Sequence, residues 1–447
     1  MSKEISSRKL STLLLMAALA ALVLSNGAGA GAQRARRATV RRRPAVVRSN
    51  PVAAVNPKTA VVRSATAEVL QETSELRKLS ILRPVQSGAQ SRAEIERMLV
   101  RNLNESASAG EMRASELVLK KLGLAPANFQ LRPFIIKLLA EQVAGYYEPK
   151  TQEFYLADWI DIDGQKPVIA HELTHALQDQ HFNLRRFEKW PKHDSDAELA
   201  AHSLVEGDAS FLMMQYIVRN PARQLSFMKS MGATGASATE QIDKAPRILR
   251  ETLLFPYFQG MAWVTGVYKQ GGWDAVSATY QNLPKSTEQI LHNDKYIANE
   301  APQKVSVRDI SKSLGRGWKM ADNDVEGEWG YYLILDQILE SPDLSKKASA
   351  GWGGDRYALF TGPKPTDVLV AQKTVWDTET DAREFFDAYV ARTTKRYGVQ
   401  PSNGSDAERA SWKTSEGGAL VKISGTTVLI LEGVPNGADA NALAAAL

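Results

Sequence analysis

Val168-Ile169-Ala170-His171-Glu172-Leu173-Thr174-His175-Ala176-Leu177 is the stretch on which the reading of this chain turns. Apolar positions at 168, 169, 173, 176 and 177 surround the two histidines, as in a buried helix, which is expected from about Lys166 to His181. Residues four apart on a helix stand one turn above each other. Two imidazoles so placed can grip one metal ion, and Glu172, beside the first, can take a proton from water at that metal. With only 6 histidines in 447 residues, a chance match to His-Glu-x-x-His is improbable.

The chain contains no cysteine. That excludes disulfides, thiolate zinc sites, iron–sulfur clusters and a cysteine nucleophile, so a metal must be held by His, Asp or Glu. A catalytic zinc needs a third protein ligand and an open position. The run Ala200-Ala201-His202-Ser203-Leu204-Val205-Glu206-Gly207-Asp208-Ala209 offers it, on a helix expected from about Asp194 to Arg219. Glu206, 31 residues after His175, is the preferred ligand. His202, one turn earlier, is its rival, because residues four apart on one helix face the same groove. A carboxylate partly neutralises a buried dication, which favours Glu206. Asp208 and Asp179 are the carboxylates that could orient a ligand histidine.

His292 is the remaining catalytic candidate, as a donor to the oxyanion formed in peptide hydrolysis, with Tyr296 close by. The bland alternative is a helix-terminal histidine favoured by the dipole. Tyr146-Tyr147, the turn Glu148-Pro149-Lys150-Thr151 and Phe154-Tyr155-Leu156 read as a hairpin. Phe154 to Ala157 is the candidate strand for docking a peptide backbone by edge addition, unless it is internal.

Composition is that of a globular protein, 44% hydrophobic and 23% charged, too polar for a multi-pass membrane protein. The net charge of +5 hides an asymmetry: residues 1–67 carry 12 Lys and Arg against Glu4 alone, so the remainder is net acidic. A basic whole-chain balance therefore does not point to specific nucleic-acid binding. Lys3, Arg8 and Lys9, the apolar run Leu10 to Leu24 and the small residues from Ala28 to Ala32 read as a signal peptide over 1–32. Residues 33–84 are expected to be an Arg/Pro-rich flexible segment, with a helical pattern starting near 67. Its run from Arg34 to Arg48 could touch an anionic surface.

A catalytic domain is expected over 85–345 and a small α+β domain over 346–437, the latter a β-β-α-β-β-β unit. The fold class is thus α+β, mostly helical around the metal-binding motif, with a small sheet there.

His-Glu-x-x-His followed by a distal Glu resembles the gluzincin branch of zinc metallopeptidases, thermolysin-like in its site. Several further stretches are similar to an uncharacterised group of secreted bacterial metallopeptidase-like proteins: Val143 to Tyr147, Ala170 to Gln180, Val205 to Ala209, Ser286 to His292 and Gly351 to Tyr357. The resemblance spans roughly residues 90 to 435. It implies a zincin-like domain with His171, His175 and Glu206 as zinc ligands and Glu172 as base. The chain departs from thermolysin in lacking the Glu-x-x-x-Asp step at the third ligand, which leaves the orienting partner open.

The expectation is an exported zinc-dependent hydrolase, secreted or periplasmic, holding one Zn2+ per chain and cleaving a peptide or protein substrate. No transmembrane domain is expected once the signal peptide is removed. One rival is a catalytically silent secreted binding protein on the same scaffold; an intact Glu172 argues against it. The other is a polyanion-binding envelope protein acting through its basic tail.

Overall fold

A computed structural model describes residues 57–189, 193–226 and 240–447. The signal-peptide stretch and the Arg34 to Arg48 run lie outside the described residues. The fold is α+β, as expected.

Helix α1, Thr59–Arg77, opens the described chain and corrects the reading of 33–84 as flexible. Val62, Ala65, Val69, Leu70, Thr73 and Arg77 lie on one side of the helix and are buried, so the stretch has a core-facing stripe. Strand β1, Gln86–Gln90, follows, then α2, Arg92–Ser106, whose start is set by a capping box: Glu94 Oε2 accepts the Ser91 N–H at 2.7 Å. Helix α3 runs Ala109–Lys121, started by a second capping box of Ser108 and Glu111. Gly123 ends it at φ +74°. Helix α4, Leu131–Gln142, leads into the hairpin β2, Gly145–Glu148, and β3, Glu153–Ala157.

In this three-stranded sheet β3 is central, antiparallel to β2 and parallel to β1. Phe154 to Ala157 therefore has no free edge, and the expected docking strand is corrected: the outer strands are β1 and β2. The sequence Gln86-Ser87-Gly88-Ala89-Gln90 has no aromatic or β-branched residue, so β1 carries no strand signal of its own.

Helix α5, Lys166–Phe182, carries the His-Glu-x-x-His motif, and every residue from Pro167 to Asp179 is buried. Helix α6, Ser195–Val218, lies against it, started by Asp194, whose carboxylate accepts the Ala197 N–H at 3.2 Å. Helix α7, Arg247–Thr279, breaks at Gly271–Gly272, where Gly272 has φ +66°. Gly207 of α6 meets Gly260 of α7 so closely that a Cβ on Gly207 would sit 2.3 Å from the Gly260 carbonyl carbon. Helices α1, α5, α6 and α7 share one apolar core with β2 and β3.

Helix α8, Thr287–Leu291, precedes the C-terminal unit. That unit begins with β4, Lys319–Asp324, before the expected boundary at 346. Helices α9, Gly327–Leu339, and α10, Pro342–Ser349, follow; then β5, Trp352–Thr361, β6, Val368–Trp376, α11, Glu379–Tyr397, β7, Arg409–Thr414, β8, Gly417–Ser424, β9, Thr427–Val434, and α12, Ala440–Ala446. The expected β-β-α-β-β-β unit is β5 to β9 with α11. It forms an antiparallel sheet in the order β4-β5-β6-β9-β8-β7. One face packs on α9 and α11 through Val370, Ile430, Trp376 and Phe385; the other packs on α12 through Phe360, Leu431 and Leu443. The first of these cores runs without a break into α2, α3 and α4, so residue 346 is no seam in the packing. Among the described residues no helix is long and apolar enough to cross a membrane.

Candidate metal centre

His171 and His175 stand one turn apart on α5 and turn their Nε2 atoms toward each other, 3.0 Å apart. Glu206 of α6 closes the group, with Oε2 3.1 Å from His171 Nε2 and 3.4 Å from His175 Nε2. His202, the rival ligand, is buried one turn away with its ring 6.3 Å from Phe187, and it is not part of this group.

Three acceptor atoms at these separations fit one small dication. Ligands about 2.0–2.1 Å from a tetrahedral zinc stand about 3.3 Å from one another. Two imidazoles and a carboxylate, with no sulfur, also suit zinc. His171 is 1% exposed, while His175 and Glu206 keep 11% and 14% of their side chains accessible. Burial holds His171 neutral, down to about 4. For His175, burial pulls the same way, but the Glu206 charge outweighs it and lifts the imidazole above its usual range. Glu206 is held low despite its burial by His175 and His171.

Glu172 is buried next to the first histidine, and its Oε2 accepts the backbone N–H of Tyr147 in β2 at 2.9 Å. Burial lifts its carboxyl to about 7. The hairpin therefore touches the motif through Glu172, a contact different from the strand addition expected of it.

Two neighbours are absent from the sequence-based expectations. Tyr257 of α7 lies over the His171 ring, centroids 6.2 Å apart, and burial followed by the charges of Glu206 and Glu172 keeps its phenol far above the usual value. Gln178 sits one turn past His175, with Oε1 2.8 Å from Nδ1 of that histidine. Repeating the i, i+3, i+4 step once beyond the motif would have flagged Gln178; Tyr257 comes from a helix more than 50 residues on, and only folding brings it near.

Asp208 and Asp179 have separate fates. Asp208 is buried against Arg77, Gln178 and Tyr280. Asp179 is taken by Arg83, the Tyr147 hydroxyl and the Leu184 N–H, and binds neither histidine. His292 Nε2 lies 2.8 Å from Glu328 Oε1, and none of its hydrogen bonds or ion pairs reaches the three converging atoms. Tyr296 donates to the Asn282 carbonyl. Glu288, Glu300 and Asp377 also cluster, but the Lys295 ammonium already fills the space between them.

The remaining distinctive stretches are structural. Asp355 accepts the N–H groups of Glu326 and Gly327 at the start of α9 and the Trp352 indole N–H. Thr287 binds Asp196 through its N–H and hydroxyl.

A family model described as a domain of unknown function (DUF8575) matches residues 316–444, which is the C-terminal unit from just before β4 into α12. No curated protein and no solved structure matches the chain.

Proposed function

We propose that this chain is an exported zinc-dependent peptidase. The observation that supports it is the meeting of His171 Nε2, His175 Nε2 and Glu206 Oε2 at 3.0–3.4 Å, with the Glu172 carboxylate beside them. His171, His175 and Glu206 would hold one zinc ion per chain; when bound, the ion supplies Lewis acidity and makes water a nucleophile near neutral pH. Glu172 acts as the base. The Tyr147 N–H fixes its carboxylate, and a pKa near the working pH is what proton transfer in both directions requires. The proton it takes from water is passed to the leaving amine. Tyr257, its phenol kept protonated by burial and hydrogen-bonded to Glu206, would turn that proton to the charge that develops on the scissile carbonyl oxygen. His292 has less support for that role, because none of its hydrogen bonds or ion pairs reaches the three converging atoms.

Export rests on residues 1–32. The Arg34 to Arg48 run is proposed as a contact to an anionic surface. Deleting 33–56, a cut that stops short of α1, should leave hydrolysis unchanged and lower binding to anionic vesicles.

Metal analysis of the purified mature protein, with casein-type peptide hydrolysis, tests the main reading. About one zinc per chain, lost in His171→Ala with His175→Ala, supports it. Stoichiometric zinc in that double variant would overturn it.

A further inference from the structure

The orientation of the His175 ring is set from outside the metal-binding motif, through a chain of hydrogen bonds whose polarity can be read in one direction only. It starts at Asp208, a carboxylate with no exposed surface, which can only accept. Arg77 of α1 grips it twice, Nε to Oδ1 at 2.7 Å and Nη2 to Oδ2 at 3.0 Å, and the Tyr280 hydroxyl donates to Oδ2 at 2.8 Å. Arg77 is itself locked by the Ser277 hydroxyl and the Trp273 ring.

Gln178 carries the next link. Its amide nitrogen lies 3.1 Å from Asp208 Oδ2 and 3.0 Å from the Val205 carbonyl oxygen. Both neighbours are acceptors, so the NH2 group must face them, and Oε1 must face the other way. Oε1 lies 2.8 Å from His175 Nδ1. An amide oxygen accepts, so Nδ1 must carry a proton, and in the neutral imidazole that a metal requires Nε2 is then the nitrogen with the lone pair. His175 Nε2 is the atom that meets His171 and Glu206.

We propose that Arg77, Asp208 and Gln178 form a polarity relay that fixes His175 as the Nδ1–H tautomer and so presents Nε2 for metal binding. Gln178 is a positioning residue; it touches no reacting atom. The proposal deepens the zinc reading and rests on it. It also answers the departure noted in the sequence: Asp208, two residues past Glu206 and not four, supplies the orienting charge, and Gln178 spans the distance. The relay acts on one histidine alone. Nδ1 of His171 is buried with no hydrogen-bond partner among the described residues.

The test uses the full mature chain, 15N-labelled and stripped of metal, then loaded with zinc alone. The His175 Nδ1–H proton, identified by its loss in His175→Ala, should be protected from solvent exchange with and without zinc. Gln178→Met, close in volume, should lose that protection and bind zinc about 10- to 100-fold more weakly in a chelator competition. Gln178→Glu, which keeps an acceptor toward His175 but sets a second carboxylate oxygen against Asp208 and the Val205 carbonyl, should recover neither in full; complete recovery would detach Asp208 from the relay. Tyr280→Phe removes one donor to Asp208 and should change neither. Full protection and unchanged zinc affinity in Gln178→Met would overturn the relay while leaving the zinc site standing. A protected proton in a parent chain that takes up no zinc would sink the metal reading and leave the relay intact.

Discussion

Two parts of the molecule bury charge, and they do so differently. In the C-terminal unit Glu432 of β9 has no side-chain freedom left. Tyr389 and Arg392 donate to Oε1 at 2.5 and 2.6 Å, and Arg396 and Tyr397 donate to Oε2. Arg392 also reaches the Leu122 carbonyl at the end of α3, tying the unit to the helical part. Each charge there has an opposite charge against it. Around α5 the Arg77–Asp208 pair is closed in the same way, but it stands one residue from a group that is not: His171, His175 and Glu206 bring their Nε2, Nε2 and Oε2 atoms together at 3.0–3.4 Å. Closed networks hold a fold, and acceptors forced to converge mark a place for something else. Burial alone does not separate the two cases; the balance of donors and acceptors does.

The comparison breaks first at Glu172. Glu172→Gln should keep zinc and the melting temperature while lowering peptide hydrolysis about 100- to 10,000-fold, because the charge that accepts the proton is gone. Unchanged turnover would remove the functional half of the contrast. Arg392→Met comes next. It leaves Glu432 buried with part of its charge uncompensated and should cost about 3–5 kcal/mol in urea unfolding, with zinc affinity retained. A variant that unfolds no more easily but loses zinc would mean that the two regions are not separate in function.

Gly207→Ala should have a smaller effect that joins stability to the site. The added methyl meets the Gly260 backbone at 2.3 Å, so α6 and α7 must part, at about 1–3 kcal/mol, and Glu206 and Tyr257 move with them. Weakened zinc binding beside the lowered melting point is the expected pair of results; a lowered melting point with unchanged zinc affinity would show that Glu206 is positioned by α5 alone.

The smallest effect is on pH. Burial would raise the Glu432 carboxyl, but Arg392 and Arg396 outweigh it and hold it below its ordinary 4.5. A carboxyl lowered on folding contributes stability that is present above the unfolded value and lost as pH falls through the folded one. Near-ultraviolet dichroism of the buried Trp352, Trp376 and Trp412 should therefore persist at pH 5 and fade in more acid solution. Glu432→Gln should flatten that dependence.

Sequence alone determined what short-range chemistry determines. His171, Glu172 and His175 lie within one helical turn and a half, so their relation needs only a helix, and the apolar flanks guarantee one. The capping box at Ser91, the long helix begun by Asp194 and the alternating strands of the C-terminal unit are equally local. Tertiary structure decided the rest. Glu206 and His202 share a face of α6, and only the packing of α6 on α5 selects Glu206. Strands β1 and β4 have sequences without strand character and exist because a neighbouring strand offers its free edge. Tyr257, Arg77 and Asp208 reach the site from three helices, over 131 residues in the case of Arg77 and Asp208. No pattern in a single chain records such a pairing, because the side chains are brought together by burial of apolar faces that are far apart in sequence and would look the same with other partners.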